Sequence, residues 1–154
     1  MTTQATLLLD TINALQTLHQ SIPGITRAPQ LEDTPASATD IPFVLTWPET
    51  IQFNRESIGN LRRADVVYAV QCLIVPVAQD TMGSGLVSVM GYAQAFLNFY
   101  LNPDNLKLID DRSTGCQSYI NALQGASTSD VTPIEYAGIA YRGFTIRLAV
   151  VQKW

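Results

Sequence analysis

From residue 3 to residue 20 the apolar positions recur at helical spacing. Leu8, Ile12 and Leu15 lead to His19 at i, i+4, i+7 and i+11, and Leu18 and Ile22 widen the stripe. Side chains three and four residues apart share one face of a helix, so the spacing predicts an amphipathic helix over 3–20. Thr3 is the expected N-cap. Ile22-Pro23-Gly24 supplies the stop, because proline has no N–H to give and glycine accepts a left-handed backbone. Residues 26–42 carry Pro29, Pro35 and Pro42 among Thr, Ser, Asp and Ala. They predict a long irregular connection, and long connections in compact domains are commonly functional.

At Phe43 the period changes to two. Phe43–Trp47, a turn at Pro48-Glu49-Thr50, and Ile51–Asn54 predict a hairpin. The polar link Arg55–Arg63 leads into a long strand, about 64–78. One of its faces is apolar throughout (Val66, Tyr68, Val70, Cys72, Ile74). The other is mixed (Asp65, Val67, Ala69, Gln71, Leu73, Val75), which predicts a firm core face and a partly covered back.

Asp80–Gly85 breaks that strand and opens a second helix, about 84–101, with Leu86, Met90, Ala93, Leu97 and Tyr100/Leu101 as the expected buried stripe and Asn102-Pro103-Asp104 as its end. Alternation returns over 116–123, a loop is expected over 125–133, and the chain closes on a hairpin. Its arms are Ile134–Tyr141 and Phe144–Gln152, with the turn at Arg142-Gly143. The sum is an α+β fold: a mostly antiparallel sheet with two main helices packed on one face, in a single domain spanning 1–154.

Composition narrows the function. Charged residues are 14% of the 154 residues, with two lysines in total and a net charge of −4. Average domains carry about 25% charged residues. Thr 15, Gln 11, Ser 9 and Asn 7 supply the polarity instead. With 47% apolar residues the chain can fill one core, and its composition is not that of a disordered chain. Apart from Arg62-Arg63 there is no basic cluster, which argues against sequence-specific nucleic-acid binding. No apolar run reaches the roughly 18 residues of a membrane span. Met1–Gln4 has no positive region and Leu7–Leu9 is short, so a protein that is intracellular at the time it is made is expected. Cys72 and Cys116 could pair only if their strands are neighbours; buried free thiols are the simpler reading.

Catalytic sets are thin. His19 is the single histidine and reads as a helix-terminal residue aided by the dipole. Without a second histidine, Ser-His-Asp, Cys-His and multi-histidine zinc arrangements have little to work with. Gly83-Ser84-Gly85 before a helix could hold a phosphate, but position 88 is Ser and no Gly-Lys-Ser/Thr follows, so Ser84 reads as an N-cap. Asp104, Asp110 and Asp111 match no calcium-loop spacing and read as a solvated segment. No enzyme, no cofactor and no metal are expected.

The order of these features resembles the tail terminator proteins of long-tailed bacteriophages. The likeness rests on the first helix running into Ile22-Pro23-Gly24-Ile25, the proline-rich stretch, Pro42-Phe43-Val44 and Trp47-Pro48. It continues through the long strand Tyr68–Val77, the second helix, and Tyr136-Ala137-Gly138-Ile139 with Tyr141-Arg142-Gly143-Phe144. It spans nearly the whole chain but is one of order and composition. It implies one sheet sandwiched with helices, and a homo-oligomer, a hexameric ring, located in the virion tail or neck after synthesis in the host cytoplasm. The implied partners are the tail tube protein, whose polymerisation the ring stops, and the head–tail connector or neck proteins that dock on it. A low pI near 4.7 would suit a ring through which DNA passes without sticking.

No site residues come with the resemblance. Local physics nominates interface candidates in the irregular polar links: Pro29 and Leu31 in the first, Arg55, Glu56, Arg62 and Arg63 in the second, and Asp130 in the third. The four charged residues of the second link could make subunit-to-subunit ion pairs or form a solvated turn. Two other readings stand beside this one: another head–tail junction protein (stopper, adaptor or completion factor), and a small-ligand-binding α+β domain.

Overall fold

A computed structural model describes residues 1–29, 41–55, 62–77, 84–128 and 134–154. The chain forms α1 (Leu7–Gln20), β1 (Phe43–Arg55), β2 (Arg62–Pro76), α2 (Ser84–Tyr100), a 3-10 turn (Pro103–Leu106), β3 (Lys107–Asp111), β4 (Cys116–Thr128), β5 (Ile134–Tyr136) and β6 (Ile139–Lys153). All strand pairs are antiparallel, in the order β1-β2-β6-β4-β3, with β5 paired to one end of β6. The last long strand is therefore the middle one. Both helices cover the same face of the curled sheet, which is the expected α+β architecture.

The alternation of the strands explains the core. On the helix-covered face, Val66, Tyr68, Val70 and Cys72 of β2 lie directly opposite Val150, Leu148, Ile146 and Phe144 of β6, and all eight are buried. Ile12 and Leu15 of α1 and Val89 and Phe96 of α2 close over them. Phe96 meets Phe144 edge to face, with ring centres 5.2 Å apart. A smaller cluster of Phe43, Leu73 and Tyr141, extended by Ile134 and Tyr136, forms where β5 folds back. The apolar face expected for β2 is present, and Ala69 and Leu73 on its back are buried too.

Several local expectations are corrected. Helix α1 begins at Leu7, because Thr3 and Thr6 close a turn first (Thr6 N–H to Thr3 O, 3.1 Å). Its buried side is Leu7, Thr11, Ile12, Leu15, Gln16 and His19. The hairpin expected at Pro48-Glu49-Thr50 is instead a bulge inside one continuous strand. Proline survives there because β1 is an edge strand, where a missing N–H need not break a ladder. The turn of the closing hairpin lies at Ala137-Gly138, both with positive φ (51° and 78°), as a two-residue hairpin turn requires. Gly143 sits inside β6, at the irregularity opposite Leu73 and Val75, where a Cβ would overlap the Cys72 carbonyl oxygen. The glycine serves close backbone approach, not a turn.

Strand β4 runs on to Thr128, through part of the expected 125–133 loop, and β3 occupies part of the expected acidic link. In α2 the stripe is shifted. Val89 and Phe96 are buried and Tyr92, Ala93, Phe99 and Tyr100 pack beside them, whereas Met90 and Leu101 are 61% and 79% exposed. The two cysteines are buried and free. They stand at opposite ends of strands separated by β6, Cys72 opposite Phe144 and Cys116 opposite Asp111.

Candidate interaction surfaces

Polar side chains converge in the interior under α1, and their geometry decides whether they form a reactive site. Gln16 donates through Nε2 to the carbonyls of Pro29 and Val44, both at 2.8 Å, and accepts through Oε1 from the Thr46 hydroxyl at 2.7 Å. Its Oε1 also faces His19 Nδ1 at 3.3 Å. An amide oxygen can only accept, so His19 carries its proton on Nδ1, and Nε2 accepts the hydroxyl of Tyr100. Further along, the Thr11 hydroxyl meets Leu7 O (2.7 Å) and Ser118 Oγ (3.0 Å), and Gln152 Nε2 donates to Thr11 and to Tyr68, each at 2.9 Å. Burial holds His19 at a pKa of about 3, and it pushes the Tyr100 and Tyr68 phenols above their ordinary value. The imidazole is thus neutral at physiological pH and cannot serve the helix dipole as a cation. These groups are partnered with one another and most of them are closed off from solvent, an arrangement that specifies packing.

The open face of the sheet has a shallow hollow of about 420 Å³, lined by Thr50, Gln52, Arg63, Asp65, Val67 and Asn121 among others. Its charges are already paired: Arg63 Nη2 lies 2.9 Å from Asp65 Oδ1. Farther along the same face, Arg147 of β6 reaches Glu49 at the β1 bulge, also at 2.9 Å. Both pairs are partly exposed and contribute at most about 1 kcal/mol each. Among the described residues no cluster of three His, Cys, Asp or Glu could hold a metal ion. Asp111 is engaged locally. Hydrogen bonds from Ser113, and further ones from Thr2 and Thr114, hold its pKa at about 2.

What the surface does offer is exposed apolar area without charge. Helix α2 has no charged residue; Val87 and Met90 stand out from it into solvent, as does Leu101 just past its end. On β1, Trp47 and Ile51 are partly bare and Phe53 is 76% exposed, its ring meeting the Trp154 ring edge to face. On β4, Leu123 is 42% exposed. Large apolar side chains set on rigid elements are the usual anchors of protein–protein contacts.

The residues nominated from sequence are placed as follows. Pro29 is half buried, and its carbonyl is tethered by Gln16. Arg55 and Arg62 face each other in register at the end of β1 and β2. Arg62 is exposed, reaches Gln4 Oε1 at 3.4 Å, and accepts the Trp154 N–H on its carbonyl. Arg63 is held by Asp65 within the same strand. Leu31, Glu56 and Asp130 lie outside the described residues, as does Gly83 of the possible phosphate turn. Sequence reasoning missed Phe53 and Leu123, and it assigned Met90 and Leu101 to the interior. For α2 the usable signal was Gln94 and Asn98, which hydrogen-bond to each other one turn apart on its exposed side and mark where solvent lies.

No protein-family model matches the chain, and no curated protein matches it. No helix among the described residues is long and apolar enough to cross a membrane.

Proposed function

We propose that this chain is a structural virion protein of a long-tailed bacteriophage. In this reading it forms a ring, hexameric by resemblance, that caps the tail tube, stops tube polymerisation and presents a docking surface to the head connector. It acts by binding alone, with no catalytic step. The observation that carries this reading is the pairing of a rigid antiparallel sheet with exposed, uncharged apolar side chains on α2, β1 and β4. Such surfaces lose little on desolvation, which suits permanent burial in an assembly. The resemblance of the chain's order of features to that of tail terminator proteins supports reading that assembly as a phage tail.

The test is direct. Light scattering and native mass spectrometry on the purified chain should show one discrete oligomer of six copies, and the protein should arrest elongation when added to growing tail tubes. A monomer that neither associates nor binds tube ends would sink the proposal.

A further inference from the structure

The ring reading leaves open how one copy meets the next, and the sheet itself suggests an answer. Its four long strands, β1, β2, β6 and β4, run antiparallel to one another in that spatial order. An even number of alternating strands means that β1 and β4, the outermost two, point in opposite directions. When copies are arranged head to tail around an axis, β1 of one copy therefore arrives beside β4 of its neighbour antiparallel, and the ladder can continue across the boundary. With an odd number of long strands the same arrangement would force a parallel seam.

Among the described residues both edges are open where this requires it. On β4, β3 pairs only with Cys116–Tyr119, so the strand from Ile120 onward has no described partner on that side. On β1, the outer edge is occupied at its first residues. Arg27 bridges to Phe43 and accepts the Val44 N–H at 2.9 Å, and Gln16 caps the Val44 carbonyl. Beyond them no described segment pairs with this edge. The two obstacles to pairing, β3 and Pro48, then select one stagger. Placing Phe53 of one copy opposite Leu123 of the next brings Arg55 beside Asn121, just clear of β3. It also moves Pro48 and its bulge out to the end of β4, past the ladder.

The side chains agree with that register. Ile51 and Phe53 lie opposite Val66 and Ala64 of β2, on the helix-covered face, and Leu123 lies opposite Leu148 of β6, on the same face. These are apolar residues that the single copy leaves bare at its two edges, and the seam would bury them against each other. We infer that the chain assembles with itself by sheet continuation, residues 50–55 of β1 pairing antiparallel with residues 121–126 of β4 in the next copy. The contact is heterologous, as a closed ring demands, and strand stagger of this kind accompanies closure of a sheet. This inference rests on the ring reading and names its subunit contact.

Cysteine cross-linking tests it. Phe53→Cys and Leu123→Cys replace exposed side chains, and the native Cys72 and Cys116 are buried. Under mild oxidation the double variant should give a ladder of covalent oligomers ending at the ring, while each single variant gives none. As a second measurement, Phe53→Asp should shift the unoxidised protein from oligomer to monomer by light scattering with an unchanged circular dichroism spectrum. A discrete oligomer with no ladder, undisturbed by Phe53→Asp, would overturn the edge pairing and leave the ring standing. Disulfide dimers from each single variant would also overturn it, because the edges would then meet symmetrically. A monomer without a ladder overturns it as well, and tube capping then decides the ring reading separately.

Discussion

His19 of α1 and Tyr100 at the end of α2 meet through imidazole Nε2 and phenol hydroxyl, the imidazole fully buried and the phenol partly so. This contact ties the helices to each other over the sheet. It is oriented from the other side by Gln16, which holds Nδ1 and is itself anchored to Pro29, Val44 and Thr46.

Acid should weaken the fold through His19. The unfolded chain takes up this proton near pH 6.5, whereas the folded chain resists it down to about pH 3. Between those values the unfolded state binds more protons, so stability complete above pH 6.5 is lost as pH falls, at about 1.4 kcal/mol per pH unit. Urea midpoints for wild type and His19→Gln at pH 7.5, 5.5 and 4.5 should converge as pH drops. Parallel profiles would show that His19 is not the group responsible.

Gln16→Leu should destabilise by about 2–4 kcal/mol, because it strands the buried Val44 carbonyl, the half-buried Pro29 carbonyl and the Thr46 hydroxyl at once. The urea midpoint should fall with an unchanged slope. Equal stability would mean that water replaces the amide in this space.

In α2, Phe96→Ala should cost about 3–5 kcal/mol through the cavity left against Phe144 and His19, while Met90→Ala stays within about 0.5 kcal/mol. Thermal melts of the two variants distinguish this helix rotation from the one read off the sequence, which places Met90 inside.

Two glycines should respond with opposite signs. At Gly143 an added methyl overlaps the Cys72 carbonyl, so Gly143→Ala should abolish soluble expression or cost several kcal/mol. Gly91, inside α2 and open to solvent, has nothing within 4 Å of its would-be Cβ. Gly91→Ala should stabilise by about 0.5–1 kcal/mol. A soluble, native-like Gly143→Ala variant would contradict the strand placement of Gly143.

By itself the sequence determined the α+β class, the existence of both helices and the core face of β2. These follow from period and composition, which are local properties. What it misread were places where a local signal serves a distant partner. Pro48-Glu49-Thr50 and Arg142-Gly143 look like turns. Tertiary structure makes the first a bulge on an edge strand and the second a close approach to Cys72. The uncharged α2 marked its solvent side with little more than Gln94 and Asn98, and packing on Phe144 and His19 decided its rotation. The surfaces where assembly is proposed were the least legible. Phe53 and Leu123 fit ordinary strand alternation, and their exposure follows from β1 lying at one edge of the sheet and β3 stopping short at the other. Strand order is a long-range property, and alternation along one strand cannot specify which strands end up outermost.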